Sequence, residues 1–445
     1  MKLLFIVGFV VTYFTGNSQV NVTIRNAPVS NYYLQSFSIN GYKKIDSVVI
    51  KDNKLVFQIP QPFQAGIYQV GDGKSNFDFI LDEPSIEMET YGNALQDSLK
   101  IIKSPENLLY RQYQQRRDKI YMQMDLLNQV LQYYDHSTEF YQTTLHEFTS
   151  IQDGFFRWID SISHLNDNSF LVHYIKTDIK PRISAGMSLS DQKKFFREHW
   201  FDGVDWMDNS MMNSDVLTRK ITSYLGLYSN PNFKKPELEK AFEDAVDIIL
   251  PLSAQNPSIN DFTIKYLVRG FERYGFDDVI LHIATNYSSA QQCENEQQSE
   301  TQARLEKYKL LAPGKIAPDI QMQDLNGNEF SLIEVRSRKL LIFWASWCPH
   351  CQELIPQLVN WSGQAANKGI RIIPVSLDDN KKDLENAIAK LNIPWPVLVD
   401  FKKWNSKAVL DYNIYATPTM LLLDKDDKIL AKPMNIKELQ NAVNH

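Results

Sequence analysis

Leu340-Leu341-Ile342-Phe343-Trp344-Ala345-Ser346-Trp347-Cys348-Pro349-His350-Cys351 is the stretch on which the reading of this chain turns. Its first six residues form an unbroken apolar run, the pattern of a short strand buried on both faces. Trp347 to Cys351 then opens a helix, with the two cysteines at positions i and i+3 of its first turn. Such residues share one helix face, close enough for a disulfide to form with little backbone movement. A helix N-terminus carries roughly half a positive charge and unpaired N–H groups, which favours the thiolate form of Cys348. Outward from this point, strands and helices alternate. Ile370 to Ser376 reads as a second buried strand, Asn380 to Leu391 as a helix, Trp395 to Asp400 as a strand and Lys403 to Tyr412 as a helix. Thr419 to Asp424 and Lys428 to Ala431 form a hairpin about Asp426-Asp427, and a last helix starts at Asn435. The change of texture begins after Ala312-Pro313-Gly314, so residues 312–445 are expected to be one α/β domain.

The front of the chain reads differently. Residues 19–100 alternate in short β-like runs, such as Val20 to Ile24 and Leu55 to Ile59, with turns at Asp52-Asn53 and Gly71-Asp72-Gly73. They predict a small antiparallel accessory domain of about six or seven strands. Ser104-Pro105 supplies a capping hydroxyl and a proline at the first helical position. Residues 101–311 then predict an irregular all-α region, with helices over 105–134, 138–163, 168–178, 190–201, 214–228, 236–249, 259–273 and 289–310. No strict period supports a repeat array.

Several features in this region do not reach a site. His146-Glu147 lacks a second histidine at i+4, where Ser150 stands. His136, His164, His173, His199 and His282 lack metal-ligand spacing. The aromatic cluster of Phe195, Phe196, Trp200, Phe201 and Trp206 reads as core. Cys293 reads as an unpaired thiol. No metal and no organic cofactor are expected.

Composition narrows the class. At 445 residues, 43% hydrophobic and 22% charged, the chain can build several packed cores. A net charge of −6 argues against a nucleic-acid partner, and three cysteines exclude a disulfide-stapled scaffold. Residues 1–18 have the layout of a secretory signal peptide, with Lys2, an apolar stretch from Leu3 to Phe14, and Gly16 and Ser18 before a cut at Gln19. The mature protein is expected to be exported, in the bacterial periplasm, without a transmembrane span.

Residues 312–445 resemble the exported thioredoxin-like thiol–disulfide oxidoreductases, the branch that includes cytochrome-maturation thioredoxins. Ala317-Pro318-Asp319 with Asp324-Leu325-Asn326-Gly327 resembles that branch's N-terminal hairpin. Phe343 to Cys351, with Pro356 beyond, resembles its active-site helix, and Tyr415-Ala416-Thr417-Pro418-Thr419 its cis-proline loop. The resemblance implies a thioredoxin fold and exchange of disulfides with protein or peptide substrates. In it Cys348 attacks and Cys351 resolves, while Pro349 and His350 tune the redox poise. Trp347, Thr417 and Pro418 bind substrate, and a thiol protein serves as electron donor or acceptor. Pro-His resembles the dipeptide of strongly oxidising periplasmic enzymes, whereas the rest of the domain resembles reducing members, so a reductase or isomerase is expected ahead of an oxidase. Two positions depart from the family. Ile342 stands where thioredoxin has a buried aspartate, and Leu354 stands where reducing members often have a glutamate. The neighbouring Glu353, about 200° round the helix from Cys351, is expected in solvent. A thioredoxin-fold peroxidase is the alternative enzyme, though Phe343 to Trp347 contains no threonine of the kind such enzymes use. A binding or scaffold protein with a vestigial redox site is the alternative outside enzymes.

Overall fold

The computed structural model describes residues 18–59, 62–164, 169–288, 296–365 and 369–444. The expected leader, but for the backbone of Ser18, and Cys293 lie outside the described residues. The chain divides into two compact units. One comprises the described residues up to Phe233 with Asp247–Tyr266, and the other comprises Lys234–Val246 with Leu267–His445.

The first unit opens with eight strands in two sheets. In one, β1 (Ser18–Arg25) lies between β4 (Lys54–Ile59) and β7 (Ser85–Tyr91), with β8 (Lys100–Lys103) at the edge. The other has the order β3 (Gly41–Val49), β2 (Asn31–Ser38), β5 (Gly66–Gly71), β6 (Asn76–Leu81). Alternate side chains of both sheets, among them Val20, Val22, Leu34, Phe57, Phe77 and Ile86, meet in one apolar core. That is the period-2 pattern doing what its alternation predicts. Asp52 and Asn53 both adopt positive φ, as a two-residue hairpin turn needs. The antiparallel expectation fails at one pair, since β1 and β7 run parallel. Parallel neighbours need a long crossover, here some sixty residues of intervening strands, and no local pattern reveals it.

Five helices follow in the same unit: α1 (Pro105–Tyr133), α2 (Glu139–Ser163), α3 (Phe170–Asp178), α4 (Leu189–His199) and α5 (Val216–Gly226). Ser104 caps α1 by accepting a hydrogen bond from the Asn107 N–H. Two longer helices, α6 (Lys235–Ser253) and α7 (Pro257–Tyr274), each contribute residues to both units. Beyond them lie α8 (Asp277–Tyr287) and α9 (Glu296–Leu310). α8 is one helix more than the sequence pattern predicts. Val279, Ile280 and Ile283 are β-branched and poor helix formers, but all three are buried, so packing overrides propensity. Among the described residues no helix is long and apolar enough to cross a membrane.

The C-terminal α/β region begins with a hairpin of β9 (Gln321–Gln323) and β10 (Glu329–Ser331). Its main sheet has the order β12 (Arg371–Ser376), β11 (Lys339–Trp344), β13 (Thr419–Leu423), β14 (Ile429–Ala431). β11 is parallel to β12 and antiparallel to β13. The helices are α10 (Pro349–Ala365), α11 (Lys381–Leu391), α12 (Lys407–Asp411) and α13 (Ile436–Asn444). Two expectations are corrected. Trp395 to Asp400 is not a strand but an extended segment bridged at Leu398, because Pro394 and Pro396 have no N–H to give a ladder. The helix expected over Lys403 to Tyr412 is a 3-10 turn at Lys403–Asn405 followed by α12, interrupted at Ser406. The β sheets at the front, helical middle and thioredoxin-like α/β end make up the multidomain architecture expected from the sequence.

Candidate active site

β11 is buried at all six positions and lies inside its sheet, so the residues after Trp344 emerge at the end of a fully packed strand. The turn that follows is held by Asp378, a buried carboxylate just beyond β12. Its Oδ2 accepts from the Ser346 N–H at 3.0 Å and from the Ser376 hydroxyl at 2.7 Å, and the Ser346 hydroxyl donates to its Oδ1. Gln352 Nε2 donates to the Ser346 carbonyl at 2.8 Å from the other side. Ser346 is thereby fixed from two directions, two residues before Cys348.

Cys348 is 5% exposed and Cys351 is fully buried, both as free thiols. The Cys351 N–H lies 3.1 Å from the Cys348 carbonyl and 3.4 Å from its Sγ, so the first turn of α10 aims a backbone donor at that sulfur. Cys348 Sγ donates to the Thr417 carbonyl at 3.2 Å. The Thr417–Pro418 bond is cis. The structure therefore brings Cys348, Cys351 and Thr417 together. Burial, and then the neighbouring Cys348 sulfur, push the Cys351 thiol up to about 12. Ile342 is buried and apolar, Leu354 is buried, and the Glu353 side chain is 77% exposed. Among the described residues no carboxylate hydrogen-bonds Cys351.

Other sequence-predicted residues sit at the rim. Pro349 is the first residue of α10. The His350 side chain is 81% exposed, its Nδ1 lies 4.0 Å from Glu353, and it makes no hydrogen bond to either cysteine among the described residues. Trp347 is 46% exposed and packs against Trp404 with ring centroids 6.2 Å apart. Pro356 lies inside α10. Among the described residues no three His, Cys, Asp or Glu side chains converge as a metal site would require.

Sequence reasoning missed three kinds of support. Asp378 follows directly on a strand, where a carboxylate after an apolar run is a weak signal. Trp404 is a lone aromatic in a polar stretch. The cis-proline loop is also tied to helices outside the α/β pattern. Tyr415 lies beside Tyr308, whose hydroxyl donates to Glu272 at 2.8 Å. Arg304 pairs with the same carboxylate at 2.6 Å and lies over the Tyr415 ring, 5.6 Å from its centroid. No local motif marks Glu272, Arg304 and Tyr308, because they act across more than a hundred residues of chain.

With this geometry in hand, comparison with known proteins is specific. The Redoxin family matches residues 312–438, and a domain of unknown function, DUF4369, matches residues 18–110. The thiol-disulfide oxidoreductase ResA of Bacillus cereus is 28% identical over 120 residues, covering 27% of this chain and 68% of that protein. The thioredoxin-like protein YneN of Bacillus subtilis is 29% identical over 119 residues, covering 26% of this chain and 67% of its own. Among solved structures, the thioredoxin domain of a thiol-disulfide oxidoreductase from Bacteroides vulgatus is 31% identical, covering 30% of this chain and 96% of its own, with a TM-score of 0.29. Residues 312–438 are therefore a Redoxin domain related to the ResA-type thiol–disulfide oxidoreductases, and the chain that carries it behind a DUF4369 region is a thioredoxin-like protein disulfide oxidoreductase.

Proposed function

We propose that this protein is exported to the bacterial periplasm and there reduces or isomerises disulfides of protein substrates through Cys348-Pro349-His350-Cys351. The observation that carries the reading is the asymmetry of the pair: Cys348 keeps a small exposed edge beside the Thr417 carbonyl, and Cys351 lies fully buried behind it. The Cys348 thiolate attacks one sulfur of a substrate disulfide, forming a mixed disulfide and releasing the first substrate thiolate. Cys351 then attacks Cys348 Sγ, forming the internal disulfide and releasing the second substrate thiolate, which takes up the proton lost by Cys351. Two electrons pass from the dithiol to the substrate, and a separate thiol protein must restore them. Trp347, Thr417 and Pro418 hold the substrate chain beside Cys348. The reducing direction is favoured by the exposure of His350. An imidazole in solvent, without a hydrogen bond to Cys348, gives its thiolate little support, so the reduced form gains little stability. The front regions, read as 19–100 and 101–311, position the redox domain or its partner.

The test uses the full chain with Cys293→Ala. Equilibration against graded thiol buffers should give a reduction potential near the thioredoxin value of about −270 mV. A potential near about −120 mV would make the protein a disulfide donor. Cys351→Ala should accumulate a mixed disulfide with substrate, and Cys348→Ser should accumulate none. Absence of any disulfide between the two cysteines would refute the exchange mechanism.

A further inference from the structure

A cleft of about 760 Å³ opens along Ala416, Pro418 and Thr419 and beside His350 on α10. That is the size of sites that enclose a small ligand or a few residues of peptide. Leu311, Tyr412, Ile414 and Met420 give it a buried apolar lining. Part of its wall lies outside the Redoxin match, on α7 and α9.

The charges of this wall do not cancel. Glu272 is taken up by Arg304 and Tyr308. Asp277 faces Lys432 at 3.7 Å, and Glu353 lies 4.0 Å from His350. His350 pairs with Glu353 only when protonated, and both side chains are exposed. Arg269 and Arg273, one turn apart on α7, are exposed, and among the described residues neither has a carboxylate within ion-pair distance. Two guanidiniums without an ion-pair partner among the described residues thus face a cleft in a chain whose net charge is −6. A guanidinium presents a planar fork of donors that matches a carboxylate.

We infer that this cleft seats the polypeptide flanking the substrate disulfide and selects acidic side chains there, with Arg269 and Arg273 as the specificity-determining cations. The inference rests on the disulfide-exchange reading above and names the substrate class for it. A substrate sulfur that reaches Cys348 must pass the Thr417–Pro418 loop, and the cleft continues from that loop. Its occupant is therefore the chain that carries the sulfur. The apolar lining takes the peptide's stem, and the arginines take its carboxylates.

The experiment uses the full chain in its reduced form with three probes: a small neutral disulfide, a disulfide-bonded peptide flanked by Asp and Glu, and the same peptide with Asn and Gln. The wild-type protein should reduce the acidic peptide with a kcat/KM about five- to tenfold above the neutral one, the range of two partly exposed ion pairs. Raising the salt concentration should erase that preference. In Arg269→Gln/Arg273→Gln the ratio should fall to about one, and in Arg269→Glu/Arg273→Glu the neutral peptide should be preferred. If the wild type reduces the small disulfide but handles the two peptides equally, the acidic preference is refuted and disulfide exchange stands. A preference that survives both substitutions refutes the role of the two arginines. If none of the three probes is reduced, the exchange reading itself fails, and the inference with it.

Discussion

Raising the pH from 7 to 9 should accelerate the attack of Cys351 on the mixed disulfide about a hundredfold. The nucleophile is the thiolate, so the rate follows the fraction of Cys351 that is ionised. Burial is the first cause of its raised pKa and persists when Cys348 is tied up with substrate, whereas the part due to the Cys348 sulfur is relieved. Cys351 therefore stays a thiol throughout the range, and each pH unit gives about a tenfold gain. An ordinary thiol with a pKa of about 8.5 would pass from about 3% to about 76% ionised, a gain of only about 25-fold, and would level off. The assay is stopped-flow mixing of the reduced protein, with Cys293→Ala, against a symmetrical chromogenic disulfide. The first coloured thiol reports attack by Cys348 and the second reports resolution by Cys351. A second phase that rises with unit slope to pH 9 supports the argument. A second phase that bends over with a midpoint at or below about pH 8.5 would refute it, and would mean that water or a polar group reaches Cys351.

Three further outcomes follow from the packing. Asp378→Ala strands the Ser346 N–H and two hydroxyls and should destabilise the redox domain by about 2–4 kcal/mol, while Asp378→Asn should cost about half as much; urea unfolding followed by Trp fluorescence reads both. Asn107→Ala removes hydrogen bonds of 2.7 and 2.8 Å to the N–H and carbonyl of Ile80, so about 2–3 kcal/mol should be lost, seen as faster proteolysis between β6 and α1. Glu272→Ala unpairs Arg304 and Tyr308; since Arg304 is partly exposed, the loss should be about 2–3 kcal/mol, below the usual cost of breaking a buried pair. Hydrogen exchange should then quicken at Tyr415 to Thr417.

What the sequence shows of this molecule depends on range. The order strand, Cys-x-x-Cys, helix is a local pattern, and β11 and α10 are where it places them. The same holds for the Asn380 cap of α11, where a single side chain accepts from two backbone N–H groups. Trp395 to Asp400 misled because its β-branched and aromatic residues outweigh, on paper, two prolines that remove the ladder donors. α8 stayed hidden because burial of Val279 and Ile283 decides its form. At the site, the cysteines and Pro418 are legible as a motif. Asp378, Trp404 and the Glu272–Arg304–Tyr308 cluster are not, since each is brought to the active-site loops by tertiary packing alone.

That cluster changes where this protein can be cut. The Redoxin match starts at residue 312, yet Leu311 belongs to the same apolar core as β11 and Cys351, and Tyr308 is buried against Glu272 and Tyr415. An expression fragment beginning at Ala312 would uncover that core and release the loop that carries Thr417. A redox module cut from this chain keeps these contacts when it includes the helical segment from Leu267.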